Sequence, residues 1–152
     1  PFKVDFVDGF AMLLNKKKIQ EDYYFDENFF MYLENNDLCK RIINKNGEIF
    51  VVPKSKINHL AAKAVDKVYS DEIEFSRNWH WIWSKFYFNK KHYGFFKAFN
   101  NGILSYFSSI FIFLFYFLMK NKNKKKIYYN RASGFFNAFL GKSSWYRPDL
   151  KD

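Results

Sequence analysis

The feature that most constrains the fold is a charge-free apolar run that covers Ile103–Met119. Its only polar side chains are the hydroxyls of serine and tyrosine. As one helix it measures roughly 25 Å at 1.5 Å per residue, a little less than the ~30 Å hydrocarbon core of a bilayer. From Ile110 onward it is apolar all round, so a water-facing stripe is absent. The run therefore spans a membrane, lies at its interface or is buried against other helices.

Basic residues follow this run at once. Extending the run back to Phe95 lengthens it but brings in polar side chains and Lys97. Lysines directly after an apolar helix are typical of cytoplasmic anchors or of contacts with anionic lipid. We expect membrane contact, and the topology stays open. The lysines are Lys120, Lys122 and Lys124 to Lys126.

One amphipathic helix is predicted before the apolar run and another after it. After Asp71, four apolar residues recur at steps of four, three and four, which is one helix face. Trp and Tyr mixed with Lys and Arg favour a helix at a membrane interface, and packing against the rest of the protein is the alternative. A second pattern covers Ile127–Leu140 and ends at Gly141. The four apolar residues of the first helix, after Asp71, are Phe75, Trp79, Ile82 and Phe86.

The bulk composition points to a basic, aromatic-rich chain of one-domain size. The 152 residues carry a net charge of +10, and 24% are aromatic. The positive charge indicates an anionic partner, or it accompanies the abundant Asn, Ile, Phe and Tyr as in an AT-rich genome. The single Cys39 excludes an internal disulfide, and no zinc-type spacing of Cys and His is present. Single-stranded nucleic-acid binders also mix Trp with basic residues, but an apolar run beside the mixture argues against that class.

The N-terminal part predicts short strands and short helices. Residues 4–15 predict an extended segment, a turn at Asp8-Gly9 and a buried strand, and a short helix capped by Asn15 follows over Lys16–Tyr24. The later segments are a strand over 48–53, another over Lys56–Leu60 and a linker over 61–71.

A central helix is predicted where an aromatic run ends in acidic and amide residues. Leu38, Ile42 and Ile43 recur at helical spacing, and Gly47 stands at the C-cap. Carboxylates at this start suit the positive end of the helix dipole. The functional alternative is that Glu34 or Asp37 is held at a cleft, where it accepts a proton.

The same segment resembles the second signature of inverting family-2 glycosyltransferases of the GT-A fold, and the rhamnosyltransferase-like branch in particular. The family phrase carries a Glu-Asp pair where this chain has Glu34-Asn35, so the second carboxylate is an amide. An amide cannot act as a base at neutral pH. The matching segment reads Phe25-Asp26-Glu27-Asn28-Phe29-Phe30-Met31-Tyr32-Leu33-Glu34-Asn35-Asn36-Asp37-Leu38-Cys39-Lys40-Arg41.

The resemblance implies an α/β fold class. Residues 1–62 are expected to form the C-terminal part of a GT-A catalytic domain, and residues 63–152 a helical, aromatic-rich, basic membrane-associated region. The nucleotide-binding half of such a domain has no counterpart here, so we expect this chain to be the C-terminal part of a longer protein. The fragment alone is expected to be inactive.

The resemblance also implies roles for individual residues. Glu34 or Asp37 would be the catalytic base, and the choice between them stays open. His59 would complete a divalent-metal site (Mn²⁺ or Mg²⁺), although a lone histidine among apolar neighbours also fits a purely structural role. In the family, a segment with small residues lets the backbone pass close to the bound sugar, and a segment of this chain matches its place; the alternative is that Gly9 serves only a turn with positive φ. This segment is Gly9, Phe10 and Ala11.

The function implied is transfer of a sugar, with inversion, from a nucleoside-diphosphate-sugar donor to a hydroxyl of a lipid-linked or polysaccharide acceptor. The expected location is the cytoplasmic face of the inner (plasma) membrane, as a peripheral or single-span protein in cell-envelope glycan synthesis. No nucleic-acid partner is expected. The alternative is a non-catalytic membrane-surface module or scaffold that binds anionic lipid. Donor sugar, acceptor, linkage and oligomeric state stay open.

Overall fold

Four α-helices and one two-stranded sheet make up the regular structure of the described residues. The computed structural model describes residues 1–19, 24–59 and 67–150. Three of the helices are long and belong to the C-terminal half. In chain order the elements are β1 (Phe2–Val4), α1 (Glu34–Asn44), β2 (Ile49–Val51), a 3₁₀ turn (Lys67–Tyr69), α2 (Ser70–Tyr93), α3 (Phe95–Leu118) and α4 (Lys122–Phe139).

The sheet is small and joins the start of the chain to the segment after α1. β1 pairs with β2 antiparallel, with Phe2 opposite Val51 and Val4 opposite Ile49. An exposed salt bridge of 2.9 Å between Lys3 Nζ and Glu48 Oε1 closes one end. The strand predicted within residues 48–53 is confirmed.

The end of α1 follows a Schellman pattern. The Gly47 amide donates to the Ile42 carbonyl and the Asn46 amide to the Ile43 carbonyl, while Asn46 takes a φ of 60°. A Cβ on Gly47 would lie 2.6 Å from Ile42 Cγ2 and 2.9 Å from its carbonyl oxygen. The predicted C-cap region is confirmed, and the glycine is needed for close approach rather than for a positive φ.

The core lies among α2, α3 and α4. The four-residue face predicted for α2 is confirmed, because all four side chains are buried. Gly134 of α4 lies against α2 so closely that a Cβ there would be 2.5 Å from the Trp79 carbonyl oxygen. Ring pairs such as Phe86–Phe135 and Phe95–Phe139 tie the three helices together. The core residues are Trp79, Ile82, Trp83, Phe86, Ala98, Phe135 and Ala138.

The predicted α/β fold class is wrong. The described residues are mostly helical and carry only the two short strands of one sheet, which is not a GT-A domain. The physical reason is visible in residues 10–15, where a buried strand is predicted. They form no strand, and Leu13 is fully exposed, so this segment has no layer to pack against.

Two further local predictions are also wrong, and one falls partly outside the described residues. Lys56–His59 form no strand, while Leu60 lies outside the described part. Within 16–19 there is only a turn, in which Asn15 Oδ1 accepts from the Lys17 amide, and residues 20–23 of the predicted helix are not described. On α2, Trp79 and Trp83 pack in the core, so packing describes these two aromatics better than a membrane interface.

The apolar run forms the greater part of α3. The helix starts at Phe95, where the longer alternative for the run begins, and ends at Leu118. Within the described residues it is the one helix long and apolar enough to cross a membrane. Only Ala98 and Ser109 of α3 are buried. The association of this region with a membrane is therefore supported by length, composition and exposure together.

Candidate functional site

An open cleft of about 750 Å³ lies where the N-terminal segment, the start of α1 and α2 meet. Its lining includes Gly9 and Phe10 of the N-terminal segment and Glu34 and Asn35 at the start of α1. His59, from the segment after β2, also lines it. The structure thus brings together four residues singled out for a sugar-transfer site: Gly9, Phe10, Glu34 and His59. Ala11 is exposed and lies outside the lining of this cleft.

Glu34 is held at the cleft by an unusual backbone. The two residues before it, Tyr32 and Leu33, have φ values of 68° and 67°, the left-handed region that bulky side chains rarely adopt. Such conformations persist only where the surroundings enforce them, and they concentrate at functional sites. Glu34 Oε2 is buried and has no hydrogen-bond partner among the described residues. Buried polar atoms normally have a hydrogen-bond partner, so this carboxylate oxygen is free to accept a hydrogen bond from a ligand.

Asn35, the departure from the family phrase, has a structural role. Its Nδ2 donates to the Val7 carbonyl at 2.9 Å, which fastens the N-terminal segment to the first turn of α1. Gly9 packs against the same side chain, since a Cβ on Gly9 would lie 3.4 Å from Asn35 Cβ. The φ of Gly9 is not in the left-handed region, so the alternative of a positive-φ turn does not hold.

Asp37 lies outside the cleft lining and is fully buried. Its carboxylate receives Arg41 Nε at 2.9 Å, Lys91 Nζ at 2.8 Å and His92 Nε2 at 2.8 Å. Three donors on one buried carboxylate form a fixed joint between α1 and the end of α2. Of the two acidic residues proposed as base, Glu34 is the one that lines an opening.

A second carboxylate completes this joint. Asp26 accepts from Lys91 Nζ at 2.7 Å and from the Tyr87 hydroxyl at 3.0 Å. Burial by itself would raise the pKa of Asp26, but the hydrogen bonds from Lys91, Asn28 and Tyr87 outweigh it and lower that pKa to about 2. For Asp37, too, burial opposes the charged form, and the hydrogen bonds from its three donors bring its pKa below the ordinary value. Both groups therefore stay ionised at neutral pH.

The walls of the cleft are aromatic. The rings of Phe10 and His59 stack with centroids 4.8 Å apart and an interplanar angle of 15°. Trp81 enters from α2 and meets Tyr32 edge-on at 5.5 Å. Burial raises the pKa of Tyr32; the Arg77 charge opposes this rise, and the nearby Glu34 charge adds to it. Ring faces of this kind suit the apolar C–H face of a pyranose, while Glu34 suits its hydroxyls.

Trp81 is one of the cleft residues that the sequence did not single out as part of a site. Its neighbours Phe75, Trp79, Ile82 and Phe86 carry the helix pattern, and Trp81 lies off that stripe with 44% of its surface exposed. A large aromatic on the wet side of an amphipathic helix is the signal that indicates a binding role. Nothing in the sequence indicates that α2 reaches the N-terminal segment.

The metal implied for His59 remains a prediction. Among the described residues, no three His, Cys, Asp or Glu side chains come together as a group that would hold a metal ion. The cleft lining thus offers the carboxylates of Asp8 and Glu34 and the imidazole of His59, which stacks on Phe10. These residues do not fit a complete metal centre.

Chemically, the cleft combines a carboxylate lacking a donor with flat aromatic walls. A carboxylate can act as a general base that accepts the proton of a hydroxyl attacking an electrophile. The opening is wide enough for a saccharide-sized ligand. Neither the protein-family models nor the curated proteins nor the solved structures with which the chain was compared gave a significant match.

Proposed function

We propose that this protein takes part in sugar transfer from a nucleoside-diphosphate sugar to a hydroxyl of a lipid-linked or polysaccharide acceptor. The cleft at the start of α1 is the acceptor site, and Glu34 is the general base. The observation that carries the proposal is the unpartnered Glu34 oxygen on an aromatic-walled cleft. The motif resemblance supports the reaction class, and the proposal does not depend on a GT-A domain.

In the proposed step the acceptor hydroxyl gives its proton to the Glu34 carboxylate as its oxygen attacks C1 of the donor sugar. The bond from C1 to the diphosphate breaks, and the nucleoside diphosphate leaves with the electron pair. Attack from the side opposite the leaving group inverts the anomeric centre. Phe10, His59 and Trp81 hold the acceptor sugar against the carboxylate, and positioning of this kind supplies a large part of the rate in enzymes.

The membrane is part of the same proposal. An exposed apolar α3 followed by exposed lysines supports attachment to the cytoplasmic face of the inner membrane. Nucleotide sugars are cytoplasmic substrates and a lipid-linked acceptor is confined to the bilayer, so this location brings both to one cleft.

The test is transfer of labelled sugar from a panel of nucleoside-diphosphate sugars to membrane-extracted lipid acceptors by the full-length protein. Glu34→Gln is expected to lower kcat by roughly 100-fold or more, because a general base contributes about 10² to 10⁴. Glu27→Gln is the matched control, since Glu27 is exposed and lies outside the cleft lining. Equal activity of the two variants would remove Glu34 from the mechanism, and no transfer from any donor would overturn the function.

The second candidate is a non-catalytic membrane-surface module that binds anionic lipid. The lysines after α3 favour it, as does Asn35, whose side chain is engaged with a backbone carbonyl instead of facing a substrate. If the protein is such a module, Glu34→Gln and His59→Ala are expected to change only local stability and to leave lipid binding as in the wild type. Binding of the acceptor saccharide, followed by tryptophan fluorescence in the wild type and in Trp81→Phe, separates the two candidates.

A further inference from the structure

The outer face of α3 is an apolar surface that the described structure leaves uncovered. Its side chains recur at steps of three and four residues, and Leu104, Phe111 and Leu118 are 80%, 73% and 77% exposed. From Leu104 to Leu118 the face measures about 21 Å along the helix axis. Monomeric proteins rarely leave a continuous apolar strip of this length to water. The strip is Leu104, Phe107, Phe111, Leu114, Phe115 and Leu118.

The opposite face of α3 is occupied along its length by α4. The ring pairs Tyr106–Phe135, Phe113–Tyr129 and Tyr116–Tyr128 lie 5.0, 6.0 and 5.9 Å apart between centroids. These pairs run in opposite directions along the two helices, so α3 and α4 form an antiparallel hairpin. One face of α3 is therefore packed, and lipid has access to the other.

A charged side chain of α2 lies beside the first half of α3. Lys85 of α2 lines the same crevice as Gly102 and Ser105 of α3, and Lys85 is exposed. If α3 crossed a bilayer, α2, which packs against it, would cross beside it and would carry Lys85 into the hydrocarbon. Charges at that depth are costly. The packing therefore favours a helix that lies along the membrane surface over one that crosses it.

Exposed lysines flank the C-terminal end of the strip. Lys120, Lys122 and Lys124 follow Leu118 and Met119 directly and are all exposed. Lys126, the next turn of α4, is instead paired with Glu72 of α2. A row of ammonium groups beside an apolar strip is complementary to the phosphates and acyl chains of an anionic bilayer surface.

We propose that α3 lies in the plane of an anionic lipid bilayer. Its outer strip enters the boundary between headgroups and acyl chains, and Lys120, Lys122 and Lys124 bind headgroup phosphates. The inference deepens the membrane attachment given under the proposed function and is independent of sugar transfer. It selects the interfacial arrangement among the topologies that the sequence leaves open.

Flotation of the full chain with vesicles tests the binding surface. The vesicles are phosphatidylcholine alone or phosphatidylcholine with 30% phosphatidylglycerol. Leu104→Glu/Phe111→Glu is expected to lower binding to both vesicle types by at least about 10-fold, because it places charge on the apolar strip. Leu13→Glu, a change at a fully exposed leucine outside the helices, is the control and is expected to bind as the wild type does.

The lysines are tested on the same vesicles. Lys120→Gln/Lys122→Gln/Lys124→Gln is expected to lower binding to the anionic vesicles by about 10- to 100-fold, since each basic residue near the surface contributes on the order of 1 kcal/mol. Binding to phosphatidylcholine alone is expected to change little. An equal loss on both vesicle types, or no binding by the wild type, would overturn the proposal.

The orientation is tested by spin labels placed one at a time at Leu104→Cys, Phe111→Cys and Leu118→Cys. Cys39 is buried and stays unlabelled. A helix in the plane gives three similar shallow depths by power saturation. A spanning helix gives a deep label at Leu104 or Phe111 and a shallow one at Leu118, which would overturn the proposal. Failure of the sugar-transfer assay leaves these depths unchanged, so the two proposals fail separately.

Discussion

At the scale of single residues, Asn35 departs from the family phrase, and its side chain has a structural role. Its amide donates to the Val7 carbonyl, which a carboxylate cannot do at neutral pH. The neighbouring Glu34 keeps an oxygen without a partner, and Asp37 is held by three basic groups. Three polar side chains within one helical turn thus have three different environments, which side-chain type alone does not distinguish.

Replacing Asn35 by Asp is expected to destabilise the protein at neutral pH by about 1–3 kcal/mol, because the Val7 carbonyl loses its donor and faces a carboxylate. The measurement is urea unfolding followed by tryptophan fluorescence. Asn36→Asp makes the same chemical change one residue further on, where the helix N-terminus favours a negative charge, and it is expected to be neutral or slightly stabilising. Equal effects of the two changes would contradict the role given to Asn35.

At the scale of elements, the contact between α2 and α4 depends on the absence of a side chain at Gly134. The backbone of α2 fills the place of its Cβ, since the Trp79 carbonyl oxygen would be 2.5 Å away. Gly102 of α3 is also crowded, but by the ring of Phe135, a side chain. Close helix packing therefore requires both glycines. At Gly134 the neighbouring group is backbone and cannot move away, whereas at Gly102 it is a side chain that can shift.

Gly134→Ala is expected to lower the free energy of unfolding by about 1–3 kcal/mol, although alanine by itself favours a helix by about 1 kcal/mol over glycine. The two helices must separate because a backbone carbonyl cannot rotate away. Gly102→Ala is expected to cost less, since the Phe135 ring is able to shift. Chemical denaturation of both variants gives the comparison, and a larger loss at Gly102 would contradict it.

At the scale of the whole molecule, distant parts of the chain converge on His80 of α2. Its Nε2 donates to the Tyr146 carbonyl at 2.9 Å, and its Nδ1 accepts from the Ser144 hydroxyl at 3.1 Å. Phe30, from the segment before α1, packs on the imidazole with centroids 4.7 Å apart, and Arg147 lies over Phe30. The start of the site segment, the middle of α2 and the C-terminal tail are joined at one neutral histidine.

The burial of His80 makes the stability of the protein depend on pH, and the direction of this dependence can be worked out. Burial, with a further contribution from the Arg147 charge, lowers the pKa of His80 to about 4 from the ordinary 6.5, against the hydrogen bond with Tyr146. The folded state then binds fewer protons than the unfolded state between pH 4 and 6.5. The stability from this group is complete above pH 6.5 and is lost as pH falls to about 4, a loss of up to about 3 kcal/mol.

His80→Gln is expected to remove most of that slope, whatever it does to stability at pH 7.5. Urea unfolding at pH 7.5, 6, 5 and 4.5 measures it in both proteins. A further loss below pH 4 is expected to remain in the variant, because the lowered pKa values of Asp26 and Asp37 lead to a loss of stability as those carboxylates become protonated. An unchanged slope between pH 6.5 and 4.5 would contradict the assignment to His80.

Periodicity and turn chemistry by themselves determined the elements that depend on local interactions. The buried face of α2, the end of α1 near Gly47, the end of α4 near Gly141 and the apolar character of α3 were all readable from residue spacing, because side-chain period and cap geometry are local. The strand at Ile49–Val51 belongs to the same group. Gly9, Phe10, Glu34 and His59, which the resemblance assigns to one site, line one cleft in the structure, and their role there stays a prediction.

Only the tertiary structure decided which of these elements meet. The strand predicted within residues 10–15 did not form, since a strand needs partners that local sequence cannot supply. Asp37 is in an ion-paired joint because α2 returns Lys91 and His92 to it. Trp81 reaches the cleft for the same reason. Burial and charge pairing depend on contacts between residues far apart in the chain, and such contacts exist only after the helices have packed.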